Sequence, residues 1–233
     1  MNIIRKAIQK TGFDLHRYRP IPNKLSYLQN LGLRVILDVG ANTGQFAKEI
    51  RKILPEAKIY SFEPIKECFE QLNESMETDK NFEAFNFALG DKNETMKINK
   101  SSYTPSSSIL EMADVHKTLF PHTKESGLEQ IKVKRLDDII NLISLEKEIL
   151  IKVDVQGFED KVITGGIETF KKARVILIEN SFVELYKNQP LFDDIYEKLK
   201  SLGFVYKGGL QEKLDKKTGQ ILFEDSLFIK SDC

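Results

Sequence analysis

Short apolar runs alternate along this chain with stretches of helical period. That alternation predicts an α/β fold, a mostly parallel sheet covered by helices on both faces. The runs place strands at Val35–Val39, Lys58–Phe62, Glu83–Ala88, Ile149–Val153 and Arg174–Ile178. Helices are expected at Gly44–Leu54, Ile65–Glu77, Glu159–Lys171 and Leu191–Leu202. Two late runs, FVYKGGL and DSLFIK, read as an antiparallel hairpin on the sheet edge. Between residues 91 and 148 the rhythm breaks. TMKIN and QIKVKR form a short strand pair there around the polar SSYTPSSS, an insertion after the third strand that lies over the active face. Residues 1–34 make an N-terminal helical extension, in which Ile3, Ile4, Ala7 and Ile8 share a face beside Arg5, Lys6 and Lys10. Such a helix docks on its own domain or on a partner subunit of a homo-oligomer; a targeting or membrane-surface segment is the other reading. Residues 35–233 form the single domain.

Ligands of such sheets sit beyond the carboxyl ends of the strands, where the strand order reverses. That rule gathers Asp38–Gly44, Glu63, Asn86–Gly90, Asp154–Gly157 and Glu179–Ser181 into one neighbourhood. Composition narrows the partners. Lysine plus arginine equals aspartate plus glutamate at 35 each in 233 residues, so no basic excess points to nucleic acid or an anionic membrane. No apolar stretch approaches the ~18 residues of a membrane span. Cys68 and Cys233 make neither a metal-ligand nor a disulfide pattern, which suits a reducing cytoplasm.

VILDVGANTGQF, Val35–Phe46, runs from a strand through a glycine turn into a helix. A phosphate-cradling loop needs Gly-Lys-Ser/Thr at its end, and Gly44-Gln45-Phe46 lacks it. A dinucleotide loop aligned on Gly40 wants glycines where Asn42 and Gln45 stand. What remains suits an adenosine ligand without phosphates, such as S-adenosylmethionine. Asp38 closes an apolar strand, and a buried carboxylate needs partners; turn N–H groups and a ligand's ammonium would supply them. Glu63, fixed by Pro64 at the end of the next strand, is placed to accept both hydroxyls of a ribose. Taken singly, the turn can be an ordinary connection and Glu63 a solvated strand end.

ILDVGANTGQF, YSFEP, NFALGD, SSSIL, RLDDI and IKVDVQGFEDKVITGG together resemble the successive signatures of the FkbM-type methyltransferases, in order from about Val35 to Lys230. The resemblance implies a Rossmann-like class I methyltransferase sheet and S-adenosylmethionine as cofactor. It implies an O-methyltransferase acting on a hydroxyl of a small molecule or glycan sugar. By the resemblance, Asp38, Gly40, Asn42 and Gly44 line the methionine end, with Ala41 and Pro64 beside them. Glu63 would hold the ribose, Phe87 and Ala88 would flank the adenine, and Asp154 would lie near the transferred methyl. The family usually carries glutamate where this chain has Gln156.

Methyl transfer to an alcohol needs alignment, exclusion of water and a base within reach. Asp154 ends a buried strand in the cleft, and Glu179 holds the same place on the next strand. Lys152 shares a strand face with Asp154 and can tune it, or the two form a structural pair. His116, in the insertion, is a further candidate base if the insertion folds over the cleft. Ser107 and Ser108, with Gln156, are candidates for contact with the acceptor; a flexible polar loop is the plainer reading of the serines. No metal-ligand spacing is evident. An Asn-Pro-Pro-Tyr-like turn, used for methylating bases, is absent after the fourth strand. Two other classes stay open. One is a nicotinamide-dependent oxidoreductase or epimerase, which lacks its loop glycines and a Tyr-x-x-x-Lys pair here. The other is a non-catalytic nucleoside-binding module, which Gln156 invites.

Overall fold

The computed structural model of the chain describes residues 10–11, 24–123 and 125–231. The amphipathic face around Ile3–Ile8 and the last cysteine, Cys233, lie outside them. Among the described residues ten strands follow in order: β1 Val35–Val39, β2 Lys58–Phe62, β3 Phe82–Phe85, β4 Ala88–Leu89, β5 Glu94–Ser101, β6 Glu125–Lys134, β7 Ile149–Val153, β8 Ala173–Ser181, β9 Phe204–Leu214 and β10 Ile221–Lys230. The α-helices are α1 Gln45–Ile53, α2 Lys66–Ser75, α3 Asp114–Leu119, α4 Leu136–Ile139, α5 Glu159–Gly165, α6 Ile167–Lys172 and α7 Phe192–Ser201. Short 3-10 turns join them, one at Lys24–Leu31 ahead of β1. No helix among the described residues is long and apolar enough to cross a membrane.

Seven strands form the main sheet in the order β3-β2-β1-β7-β8-β10-β9. The first five run parallel, and β10 runs antiparallel between β8 and β9. This is the Rossmann-like methyltransferase arrangement, with the hairpin's second strand filed inside its first. Every residue of β1 and β7 is buried, because helices cover both faces. Val35, Leu37 and Val39 pack with Val162, Ile163 and Phe170 on one face. Ile36 packs with Ala47, Ile50 and Leu72 on the other. Burying each such side chain contributes about 1.5–3 kcal/mol.

Two expected elements break. The strand expected at Glu83–Ala88 ends at Phe85. Asn86 then turns its amide onto the carbonyls of Glu63 and Pro64, at 3.0 Å each, and this side-chain bonding competes with a strand ladder. Ala88–Leu89 leaves the main sheet and pairs with β6 in a small sheet ordered β4-β6-β5. The helix expected at Glu159–Lys171 divides at Gly165–Gly166. A Cβ on Gly165 would lie 1.8 Å from the carbonyl oxygen of Gly90, so only glycine lets α5 reach the end of β4.

Candidate active site

The strand order reverses between β1 and β7, and a cleft of about 700 Å³ opens beyond their carboxyl ends. Gly40–Asn42, Glu63–Ile65 and Ala88–Leu89 form one wall. Lys152, Asp154 and Gln156 form another, with Gln211 and Asp225 from the hairpin. The insertion contributes Tyr103–Pro105, Ser107 and Ile109 to the lining. Thr104 anchors it to the glycine turn, its hydroxyl donating to Asn42 Oδ1 at 3.3 Å.

Strand register sets Ser61, Asp38 and Lys152 in one row across β2, β1 and β7. Asp38 is fully buried. Its Oδ2 accepts from the Ser61 hydroxyl at 3.2 Å, while Lys152 Nζ lies 3.8 Å from Oδ1. Among the described residues Oδ1 accepts no hydrogen bond. Burial pushes this carboxyl up, and Lys152 opposes the shift. The sequence pattern assigns the turn N–H groups to Asp38, but the structure gives them to β2. Gly40 and Ala41 donate to the Phe62 carbonyl at 3.0 and 3.1 Å, because β2 ends beside the turn. Asp38 therefore sits beneath the cleft wall.

Glu63 is in the wall and buried. One carboxylate oxygen accepts from the N–H of Asn42 and the other from that of Ile65, both at 2.8 Å. Each oxygen keeps a second lone pair. Burial raises its pKa to about 7 against those two bonds. Ile65, Ala88, Leu89 and Ile98 give an apolar surface beside it. Phe87 is not part of that surface. It packs against Phe62 and Phe85 under the Lys134 ammonium, 4.4 Å from its ring centre. Gly44 does not line the cleft either. With φ at 87° it caps α1, where a Cβ would press on Leu72 and Ser75 of α2 at 2.9 and 3.0 Å.

Asp154 is held from both sides. Lys152 Nζ donates to Oδ2 at 3.2 Å and Gln156 Nε2 donates to Oδ1 at 2.7 Å. Burial opposes the Lys152 charge, but Asp154 and Asp38 keep its pKa above the ordinary value. Glu179 accepts from the same Gln156 nitrogen at 2.9 Å. Burial, followed by the charges of Asp154, Glu159 and Asp225, drives Glu179 well above the usual carboxylate range. Ser107 stands in the cleft wall, its hydroxyl accepting from the Ser101 N–H at 3.0 Å. Ser108 does not. It is buried, and its hydroxyl donates to the Gln156 carbonyl at 2.6 Å, fastening the insertion to the loop after β7.

His116 is also away from the cleft lining. It is buried beside Tyr186 and Phe120, with Nε2 against the Thr123 hydroxyl at 2.9 Å. Burial lowers its pKa to about 4, so it is neutral at physiological pH and packs as a core side chain. The insertion lines the cleft through other residues and does not offer this ring to it.

Three residues of this neighbourhood carry no clear mark in the sequence. Asp225 enters the wall because β10 pairs it opposite Glu179, a register set by tertiary structure. Burial and the Asp154 charge raise it to about 6. Tyr186 reaches Gln156 from beyond β8. Glu159, an acid at a helix start, is the most legible. Its Oε1 accepts the N–H groups of Val155 and Gly157, both at 3.1 Å, and so shapes the loop bearing Gln156. Glu159→Ala should strand both donors and destabilise the protein by about 1–3 kcal/mol, read by thermal or urea unfolding. Burial raises the Glu159 pKa to about 7. A folded pKa above the unfolded value stabilises at low pH, and that contribution is lost as pH rises through about 7. Glu159→Gln keeps the oxygen acceptor and should flatten this part of the stability profile.

The sequence profile described as the Methyltransferase FkbM domain matches residues 38–206. The 2-O-methyltransferase NoeI of Sinorhizobium fredii is 32% identical over 178 residues, covering 73% of each chain. Methyltransferase sdnD of Sordaria araneosa is 26% identical over 192 residues, covering 72% of this chain and 73% of that one. Among solved structures, a candidate rRNA-methylase from Clostridium thermocellum superposes with a TM-score of 0.51 at 8% identity, over 92% of this chain and 99% of that one, a likeness of fold. The chain belongs to the FkbM methyltransferase family.

Proposed function

We propose that this methyltransferase takes S-adenosylmethionine in the cleft and transfers its methyl group to a hydroxyl of a small molecule or glycan sugar. One observation carries the donor assignment: Glu63 is a buried carboxylate with one lone pair left on each oxygen, beside a glycine turn that lacks the pattern of a phosphate loop. Those lone pairs suit the two hydroxyls of a ribose. Ile65, Ala88, Leu89 and Ile98 suit an adenine. Among the described residues the basic side chains in the wall are Lys24 and Lys152, and Lys152 is paired with Asp154. A nicotinamide dinucleotide would thus bring a pyrophosphate to a turn flanked by carboxylates. When bound, the donor supplies an electrophilic methyl on a sulfonium. Asp154 then accepts the acceptor's hydroxyl hydrogen bond, aligns its oxygen and takes its proton as the methyl passes to that oxygen and S-adenosylhomocysteine leaves, and the insertion keeps water out.

The hydroxyl acceptor is supported by the balanced charge of 35 basic and 35 acidic residues and by the carboxylates and serine around the cleft. It is also in keeping with the 2-O-methyltransferase relative. A cytoplasmic setting fits Cys68, a buried unpaired thiol. Calorimetry with S-adenosylhomocysteine and with NAD tests the donor. Labelled donor incubated with a panel of glycans and nucleotide-sugars tests the acceptor. S-adenosylhomocysteine should bind one to one and NAD should not; the reverse would overturn the assignment. Because the charged form of Glu63 accepts both hydroxyls, affinity should weaken as pH falls below about 7. Glu63→Gln should remove that dependence and lose roughly ten- to a hundredfold in affinity, or ~1.5–3 kcal/mol. An unchanged affinity and pH profile would move the ribose elsewhere.

A further inference from the structure

Gln156 uses every polar group of its side chain within the protein. Its Nε2 donates to Asp154 Oδ1 at 2.7 Å and Glu179 Oε1 at 2.9 Å, and its Oε1 accepts from the Tyr186 hydroxyl at 2.8 Å. Its backbone is held as well. Gln156 has φ at 56°, in the left-handed region, and its carbonyl accepts from Ser108. Tyr186 is buried and also reaches the Ser106 carbonyl, at 3.1 Å. The single phenol proton, nearer Oε1 at 2.8 Å than the Ser106 carbonyl at 3.1 Å, marks that end of the amide as the acceptor, and the carboxylates take the NH₂ end. Both N–H groups therefore point at Asp154 and Glu179, and neither is left for an acceptor molecule.

We propose that Gln156 is a positioning residue of the methyl-transfer site. Oriented by Tyr186, its amide clamps the carboxylates of Asp154 and Glu179 on one nitrogen and fixes the direction in which Asp154 meets the acceptor. The proposal rests on the assignment of Asp154 to the acceptor. Like charges at this distance repel, and two N–H donors offset that repulsion without adding a charge of their own. A glutamate in the same place would bring a third carboxylate against the two, with Asp225 opposite Glu179 and the Lys152 ammonium already held by Asp154 and Asp38. Burial and its acidic neighbours already drive Glu179 well above the usual carboxylate range, so a third carboxyl would call for a further proton and add to the dependence on pH. The Tyr186 and Ser108 contacts also tie the clamp to the insertion, so the loop over the cleft and the carboxylates below it share one network.

The test compares the parent with Gln156→Glu, Gln156→Met and Tyr186→Phe. Thermal unfolding is followed from pH 5.5 to 8.5 without ligand, and S-adenosylhomocysteine binding and single-turnover methyl transfer are measured alongside. Gln156→Glu should melt close to the parent at pH 5.5 and fall further behind as pH rises. The sign follows from a carboxyl whose folded pKa is raised: its stability is present at low pH and lost on passing that value. Gln156→Met loses the clamp without adding a carboxyl and should show a deficit with little pH dependence. Two side-chain amide proton signals in the parent spectrum, absent from Gln156→Met, should exchange slowly and lie away from those of solvent-exposed glutamines. Turnover in Gln156→Met should fall ~10²-fold, the scale of a small misplacement, with product affinity near the parent's. A Gln156→Glu deficit that does not vary with pH, fast-exchanging amide protons, or equal losses of turnover and product affinity would overturn the proposal. The melting and amide signals need no donor, so failure of the S-adenosylmethionine assignment would show separately, as a parent that does not bind S-adenosylhomocysteine.

Discussion

Asp154→Asn is expected to slow single-turnover methyl transfer by ~10²–10⁴-fold, the range for losing a group that accepts a proton or orients the hydroxyl bearing it. Product affinity should change far less, because Glu63 and the glycine turn are untouched. Asparagine has nearly the same shape, but it replaces one acceptor oxygen with a donor. In the parent both oxygens are occupied, by Lys152 at 3.2 Å and by Gln156 at 2.7 Å. Either way round, the new amide sets its NH₂ group against one of those donors. It cannot satisfy both neighbours, and it no longer offers a carboxylate to the acceptor. His116→Ala is the control. That ring lies outside the cleft lining, so its loss should lower stability and leave the chemical step close to parental. Rates for all three proteins, once an acceptor is in hand, decide the matter. Parental turnover in Asp154→Asn would make Asp154 structural, and a His116→Ala rate matching the predicted Asp154→Asn loss would move the base into the insertion.

Gly40→Val should abolish cofactor binding and also lower the melting temperature sharply. The turn requires φ of 81° at Gly40, and a Cβ there would lie 1.9 Å from the carbonyl oxygen of Asp154. No rotamer relieves a clash with backbone, so the ends of β1 and β7 would have to part. Blocking of the donor's path is thus joined by damage to the seam that builds the site. Gly32→Ala separates strain from collision. Gly32 has φ of 64° with nothing within 4 Å of its would-be Cβ, so it reports the left-handed backbone penalty alone, ~1–2 kcal/mol. Melting and calorimetry on the same preparations give both readouts. A Gly40→Val protein with parental stability and affinity would contradict the geometry.

The buried parallel strands were the most legible part of the chain. VILDV and ILIKV occupy the residues their apolar runs predict, because strands covered on both faces cannot afford polar interruptions except at a site. The exceptions, Asp38 and Lys152, stand side by side across β1 and β7. Carboxylates at strand ends were legible for the same reason, and Glu63 lines the cleft from such a position. Less was visible where one side chain or one contact overrides a pattern. Asn86 ends β3 by bonding back to Glu63 and Pro64, and Gly165 approaches Gly90, contacts that hydrophobic period does not encode. Gly44 and Phe87 sit in the right segments but turn to packing, since a motif gives position along the chain and not side-chain direction. Asp225 depends on the β8–β10 register, and the role of Gln156 depends on Tyr186. Neither relation is local.

The seam between β1 and β7 joins Val35 to Ile149, with β2, β3 and the whole insertion between them in sequence. Pairing so distant is slow to form, since a long loop must close before the contacts reward it. The crevice therefore lies on a join between strands far apart in sequence. A ligand that needs both sides of this join binds only after it has closed. Its stabilisation should then appear mainly as slower unfolding, with refolding nearly unchanged. For this enzyme, an occupied site would act as a kinetic lock on the native chain, lengthening its lifetime against proteolysis more than it speeds the chain's arrival at the native state.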